Sequence, residues 1–169
     1  MPKASGPTIH IEAAWGFTLE VTAEGGAIVG SRFVRAKSKP ASTTRDPLLR
    51  AALDQVLAYF AGRLGRFDLP LALAGTAFQT DVWNAVAALS FGEFVSYADV
   101  ARAVGRPLAH RGVAMAMRSA PLDLFVPAHR VVGADGRVKG AARDSMRLRL
   151  VRFERAIACR RAVTTPAGS

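Results

Sequence analysis

The hydrophobic period of this chain changes once, and that change restricts the folds open to it. Thr8-Ile9-His10-Ile11 and Phe17-Thr18-Leu19-Glu20-Val21-Thr22 alternate apolar and polar residues, the period of a strand with one buried face. Glu24-Gly25-Gly26 turns the chain into Ala27 to Phe33, so the pattern predicts a small antiparallel sheet. From Asp46 the period lengthens. With Pro47 at the first helical position, Leu48, Leu49, Ala52, Leu53, Val56, Leu57 and Phe60 recur at helical spacing up to Gly62. Residues 35–46, rich in Lys, Ser, Thr and Pro, read as an exposed connection, and residues 63–74 as a link to a mostly helical C-terminal half. The expected class is α+β, with an N-terminal sheet and helix domain over 1–70, a C-terminal domain over 75–158 and a tail over 159–169.

The second half carries a helix-turn-helix pattern. Ser96 caps a helix from Tyr97 to Val104, Gly105-Arg106-Pro107 breaks it, and a second helix runs from about Leu108 to Arg118. Ala109, Gly112, Ala114 and Ala116 are small, which would let this helix lie close to sugar-phosphate walls. Charge is segregated in the same direction: residues 1–96 hold 9 Lys/Arg against 8 Asp/Glu, and residues 97–161 hold 14 against 5. A positive field confined to one half is the footprint of a polyanion-binding face, the alternative being arginines that only maintain solubility.

The 169 residues contain one cysteine, Cys159, so no internal disulfide framework is possible. No Cys/His cluster has metal-ligand spacing, and neither a metal nor another cofactor is expected. No apolar run reaches membrane-span length and Met1 to Gly6 lack a signal-peptide core, so a cytoplasmic monomer is the expectation.

The segment Pro127-Ala128-His129-Arg130-Val131 resembles the reactive motif Pro-Cys-His-Arg-Val, with a methyl group where the sulfur would stand. Four further segments agree with it in order and spacing: Gly75 to Trp83, Phe91 to Tyr97, Gly105 to Val113, and Leu150 to Glu154. Tyr59-Phe60-Ala61-Gly62 and Phe67-Asp68-Leu69-Pro70-Leu71 extend the likeness towards the N-terminus. Together these segments resemble the O6-alkylguanine-DNA alkyltransferases, and Ala128 brings the chain nearest to their cysteine-less relatives, the alkyltransferase-like proteins. The resemblance implies an RNase H-like N-terminal domain and a winged-helix-like C-terminal domain that binds duplex DNA through the minor groove.

The resemblance also implies roles for particular residues. Arg111 matches the arginine inserted into the base stack in place of a flipped nucleotide, a task suited to a planar cation, although a phosphate clamp would use the same side chain. Tyr97 matches the tyrosine that presses on the flipped nucleotide's phosphate, or is half-buried packing. Gly112 and Ala114 line the DNA-facing helix, and Arg118 is a phosphate contact. Ala128 holds the acceptor position. His129 and Glu154 match a proton relay that here has nothing to deprotonate, which leaves a structural hydrogen-bonded pair that also orders the pocket floor. The lesion pocket is expected from Tyr97, Pro127, Ala128, Val131 and Ala141.

Two departures accompany Ala128. Ser119-Ala120 replaces a supporting asparagine of the family, and Lys139 to Asp144 lacks the family's tyrosine and glycine pair. Such joint changes favour natural divergence over an engineered Cys-to-Ala exchange. Cys159, five residues beyond Glu154, falls about 140° around a shared helix and should face away from the pocket. The expected function is recognition of O6-alkylguanine in duplex DNA without removal of the alkyl group, marking it for nucleotide-excision-repair proteins. The alternatives are an active methyltransferase with another nucleophile, or a small-molecule or regulatory protein on the same fold.

Overall fold

The computed structural model describes residues 6–35, 43–139 and 145–164, with side chains as far as Arg161. Three antiparallel strands, β1 (Thr8–Glu12), β2 (Phe17–Glu24) and β3 (Ala27–Arg35), form a sheet in the order β1-β2-β3. Ile9, Ile11, Leu19, Val21 and Ile28 point to one face and are almost wholly buried, as the alternation requires. Helix α1 (Pro47–Phe60) covers that face through Leu49, Ala52, Val56 and Tyr59. Its start is set by Asp46, whose Oδ1 accepts from the Leu48 and Leu49 amides at 2.8 and 3.1 Å.

The link that follows is not loose. Leu64, Phe67, Leu69, Leu71 and Leu73 pack against the core, and Leu71 bridges to Ile28 of β3. Gln55 clamps the segment, exchanging hydrogen bonds with the backbone of Asp68 at 2.8 Å each way. The buried residues of both halves form one continuous apolar core.

Beyond Gly75 come α2 (Ala77–Ala87), a short β4 (Val95–Ser96), α3 (Tyr97–Ala103), α4 (His110–Arg118), a 3-10 turn (Ala128–Arg130), β5 (Val131–Val132) and α5 (Met146–Thr164). Ser96 and Asp99 cap α3 reciprocally: the Asp99 amide donates to Ser96 Oγ at 3.1 Å, and the Ser96 amide to Asp99 Oδ2 at 2.8 Å. Helix α4 starts two residues later than the periodicity predicts, because the Ala109 amide closes a turn onto the Arg106 carbonyl at 2.9 Å and leaves Leu108 outside the helix. Trp83 of α2 fixes α4 from behind, its Nε1 donating to the Ala116 carbonyl at 2.8 Å. Helix α5 runs on to Thr164, so the tail expected from residue 159 is helical as far as that residue.

Candidate functional site

The parallel pairing of β4 with β5, Val95 with Val131 and Ser96 with Val132, brings the N-terminus of α3 against the 127–131 segment. Tyr97 therefore lies beside Ala128 although thirty-odd residues separate them in sequence. The N-terminal sheet braces the approach to this segment. Ser31 of β3 donates through Oγ to the Asp123 carbonyl at 2.8 Å and receives the Asp123 amide at 3.0 Å, while Asp123 Oδ2 accepts from the Phe33 amide at 3.0 Å. Leu124, buried and next in line, takes φ of 70°, a left-handed conformation that costs a branched side chain energy and is held by its surroundings.

Glu154 of α5 is fully buried and is the centre of the polar interior. It accepts from Tyr59 Oη at 2.7 Å, His129 Nε2 at 2.7 Å, Arg130 Nη2 at 2.9 Å, Arg130 Nε at 3.0 Å and the Gly92 amide at 2.9 Å. Gly92 reaches it with φ of 78°, a conformation open to glycine without strain. Burial alone would raise the Glu154 pKa, but the hydrogen bonds from His129 and Arg130 and the charge of Arg130 outweigh it and hold the carboxyl down to about 2. An ionised carboxylate only accepts, so Nε2 of His129 carries the proton and Nδ1 keeps a lone pair. Burial lowers the His129 pKa, against the pull of Glu154, so the ring is neutral. Burial and the Glu154 charge raise the Tyr59 pKa well above its ordinary value. The expected His129–Glu154 pair is present, and the structure adds Tyr59, Arg130 and Gly92 to it. Arg130 is invisible to a pattern search because a buried arginine looks, in sequence, like a surface one.

Arg147, in the first turn of α5, enters the same region from the other side. Its Nη2 donates to the Ala128 carbonyl at 2.7 Å, the Val131 carbonyl at 3.0 Å and Tyr97 Oη at 3.2 Å. Next to it lies a cavity of about 320 Å³ lined by Phe17, Phe33, Met117, Asp123, Leu124, Val126, Ala128, His129, Met146, Arg147 and Leu150. Of the pocket residues expected from sequence, Ala128 lines this cavity. Tyr97, Pro127 and Val131 do not; the Val131 side chain is fully buried in the core and only its carbonyl faces Arg147. Ala141 lies outside the described residues.

The outward face of α4 differs from the expected one. Arg111 and Arg118 are exposed, as their assignment to DNA needs. Gly112 turns inward: a Cβ there would stand 3.1 Å from Phe78 Cε1, so its smallness serves packing against α2. Ala116 is buried and Ala114 half-buried. The open face instead carries Met115, 70% exposed, and Leu108, 91% exposed, lies in the turn before the helix. Arg111, Met115 and Arg118 fall within an arc of about 60°. The 3-4 spacing was readable in the sequence; that it marks the open face required knowing which side α2 covers.

This architecture, a three-stranded sheet bracing a helical half, has known counterparts. The family model for the "6-O-methylguanine DNA methyltransferase, DNA binding domain" matches residues 77–156. A methylated-DNA–protein-cysteine methyltransferase of Mycobacterium tuberculosis is 39% identical over 125 residues, covering 72% of this chain and 76% of its own. The chain belongs to the methylated-DNA–protein-cysteine methyltransferase family. A constitutive relative from Bacillus subtilis is 46% identical over 96 residues, 57% of this chain and 58% of that one. The crystal structure of Mycobacterium tuberculosis OGT in complex with DNA superposes with a TM-score of 0.73 at 35% identity, covering 88% and 92% of the two chains.

Within the methyltransferase family this member has Ala128 after Pro127, and its one cysteine is Cys159, exposed on α5. Among the described residues no group of three or more His, Cys, Asp or Glu side chains could hold a metal ion, and no helix is long and apolar enough to cross a membrane.

Proposed function

We propose that this protein recognises O6-alkylguanine in duplex DNA and leaves the alkyl group where it is. One observation carries the reading: position 128, between Pro127 and the ring-bearing His129, holds a methyl group, and the one cysteine, Cys159, is exposed on α5. Alkyl transfer needs an attacking lone pair at that position, and a methyl group supplies none. The family membership and the exposed Arg111 and Arg118 on α4 support DNA as the partner.

In this reading α4 enters the minor groove, Arg111 fills the gap left by the extruded guanine, and Arg118 contacts phosphate. Tyr97 and the backbone at Ala128 and Val131 border the base. The kinked, occupied complex then marks the site for nucleotide-excision-repair proteins. Incubation with duplex carrying labelled O6-methylguanine tests this directly. All label should stay on the DNA while the damaged duplex competes better than its guanine counterpart. Label on the protein, or equal competition by the two duplexes, overturns the reading.

A further inference from the structure

Arg147 is held by one end. A guanidinium Nη carries two hydrogens, yet three acceptors, Tyr97 Oη, the Ala128 carbonyl and the Val131 carbonyl, lie within 3.2 Å of Nη2. Its Nε, by contrast, is buried and has no acceptor among the described residues. The acceptors belong to two pieces of chain, the Tyr97 side chain at the start of α3 and the backbone carbonyls of the contiguous 128–131 segment, and the β4–β5 pairing, in which Arg147 takes no part, holds the two together. The cradle is thus built independently of the side chain that fills it, and a cavity lies alongside.

We propose that Arg147 is an internal stand-in for the ligand: its guanidinium closes the site in the free protein, and a base enters only by displacing it. The inference rests on the function proposed above. Its chemistry is the likeness between a guanidinium and the N1–C2–N2 edge of guanine, both planar and both presenting an amino group. Alkylation at O6 removes the N1 proton but leaves both hydrogens of the 2-amino group. An O6-alkylguanine can therefore replace the Nη2 donors, whereas a purine without the amino group would displace Arg147 and leave the acceptors unpaired. Arg147 thereby becomes a selectivity residue.

Two arms test it. Arg147→Met keeps the length of the side chain and deletes its donors. Its preference for an O6-methylguanine duplex over the guanine duplex should rise about tenfold over wild type, the factor by which a site open a tenth of the time weakens its own ligand. With O6-methylhypoxanthine, identical but for the 2-amino group, both proteins should bind more weakly than with O6-methylguanine while the rise on Arg147→Met stays the same, because removing the competitor opens the site to any base and only the amino group pairs the acceptors. An unchanged or lower preference overturns the proposal, and so does wild-type binding of O6-methylhypoxanthine as tight as that of O6-methylguanine.

The second arm needs no DNA. Methylguanidinium, titrated into Arg147→Ala and followed by calorimetry, should bind saturably and should fail to bind wild type; no binding to the variant overturns the cradle. Circular dichroism of both variants checks the fold. A wild type indifferent to the lesion would remove the function proposed above and leave the cradle to be decided by methylguanidinium.

Discussion

Tyr59 of α1 donates its hydroxyl to Glu154 of α5 at 2.7 Å, joining the helix that covers the sheet to the helix that carries the site. The bond closes a set of donors around one buried carboxylate, so each donor's loss has a definite cost. Glu154→Gln should destabilise by about 3–5 kcal/mol, because Arg130 would be left buried beside a neutral group. Tyr59→Phe removes one charge-assisted bond and should cost about 1.5–3 kcal/mol. Denaturant unfolding measures both. Values within about 0.5 kcal/mol of wild type would mean that the network contributes little to folding.

Acid should weaken the fold in two stages. The His129 pKa lies below its ordinary value of 6.5, and that of Glu154 is held at about 2 rather than 4.5. Both shifts mean that the unfolded chain binds more protons than the native one, so stability rises with pH and is lost as pH falls. The loss should begin as pH drops through about 6.5, from His129, and steepen below about 4.5, from Glu154. Thermal melts between pH 8 and pH 3 read this out. A Tm that stays flat to pH 4, or a slope unaltered below 4.5 in Glu154→Gln, contradicts the assignment.

The fold was legible wherever one period governs a segment. The strands at 8–12, 17–24 and 27–35 and the helix capped by Asp46 follow from alternation, turn glycines and a proline at the first helical position. The motif at 127–131 was readable because its residues are contiguous. What escaped was decided by packing between distant segments: Tyr59 and Arg130 converging on Glu154, Arg147 reaching back to Ala128, and Gly112 turned towards Phe78. A small residue on a helix reads as an open face or as a close contact with equal ease, and only the neighbour's position distinguishes them.

On α4, Arg111 and Arg118 should separate by kind of effect. Arg118→Ala should weaken damaged and undamaged duplex alike and lower the slope of log K against log salt by about 1, as expected for one phosphate contact. Arg111→Ala should reduce the preference for the lesion more than overall affinity, since its assigned role is stabilising the flipped state. Titrations at several salt concentrations with both duplexes distinguish them, and identical behaviour of the two variants would make Arg111 a second phosphate contact.

Met115 stands exposed between these arginines, where an added negative charge would face DNA phosphates. Met115→Glu should therefore lower affinity for any duplex without lowering Tm, because the side chain makes no core contact to lose. Affinity equal to wild type would take the open face of α4 out of the interface.

Restoring the sulfur gives the sharpest test of the proposal that the chain leaves the alkyl group in place. In Ala128→Cys a thiol would stand next to a neutral His129 whose Nδ1 lone pair can take its proton, because Glu154 holds the other nitrogen protonated. Some transfer of label from O6-methylguanine duplex should therefore appear, and it should fall as pH drops below the ordinary range of a thiol. The rate should remain poor, since the Ser119-Ala120 turn lacks the asparagine found in the family and Arg147 fills the acceptors beside residue 128. Misplacement of the reacting atoms by about 1 Å can cost on the order of a hundredfold. Adding Arg147→Met to Ala128→Cys should then raise the single-turnover rate above that of Ala128→Cys alone. A double variant no faster than the single one would locate the defect in the geometry of residue 128 itself. Complete absence of label from Ala128→Cys, in protein that still binds the lesion duplex, would show that the missing sulfur is not what stops the chemistry.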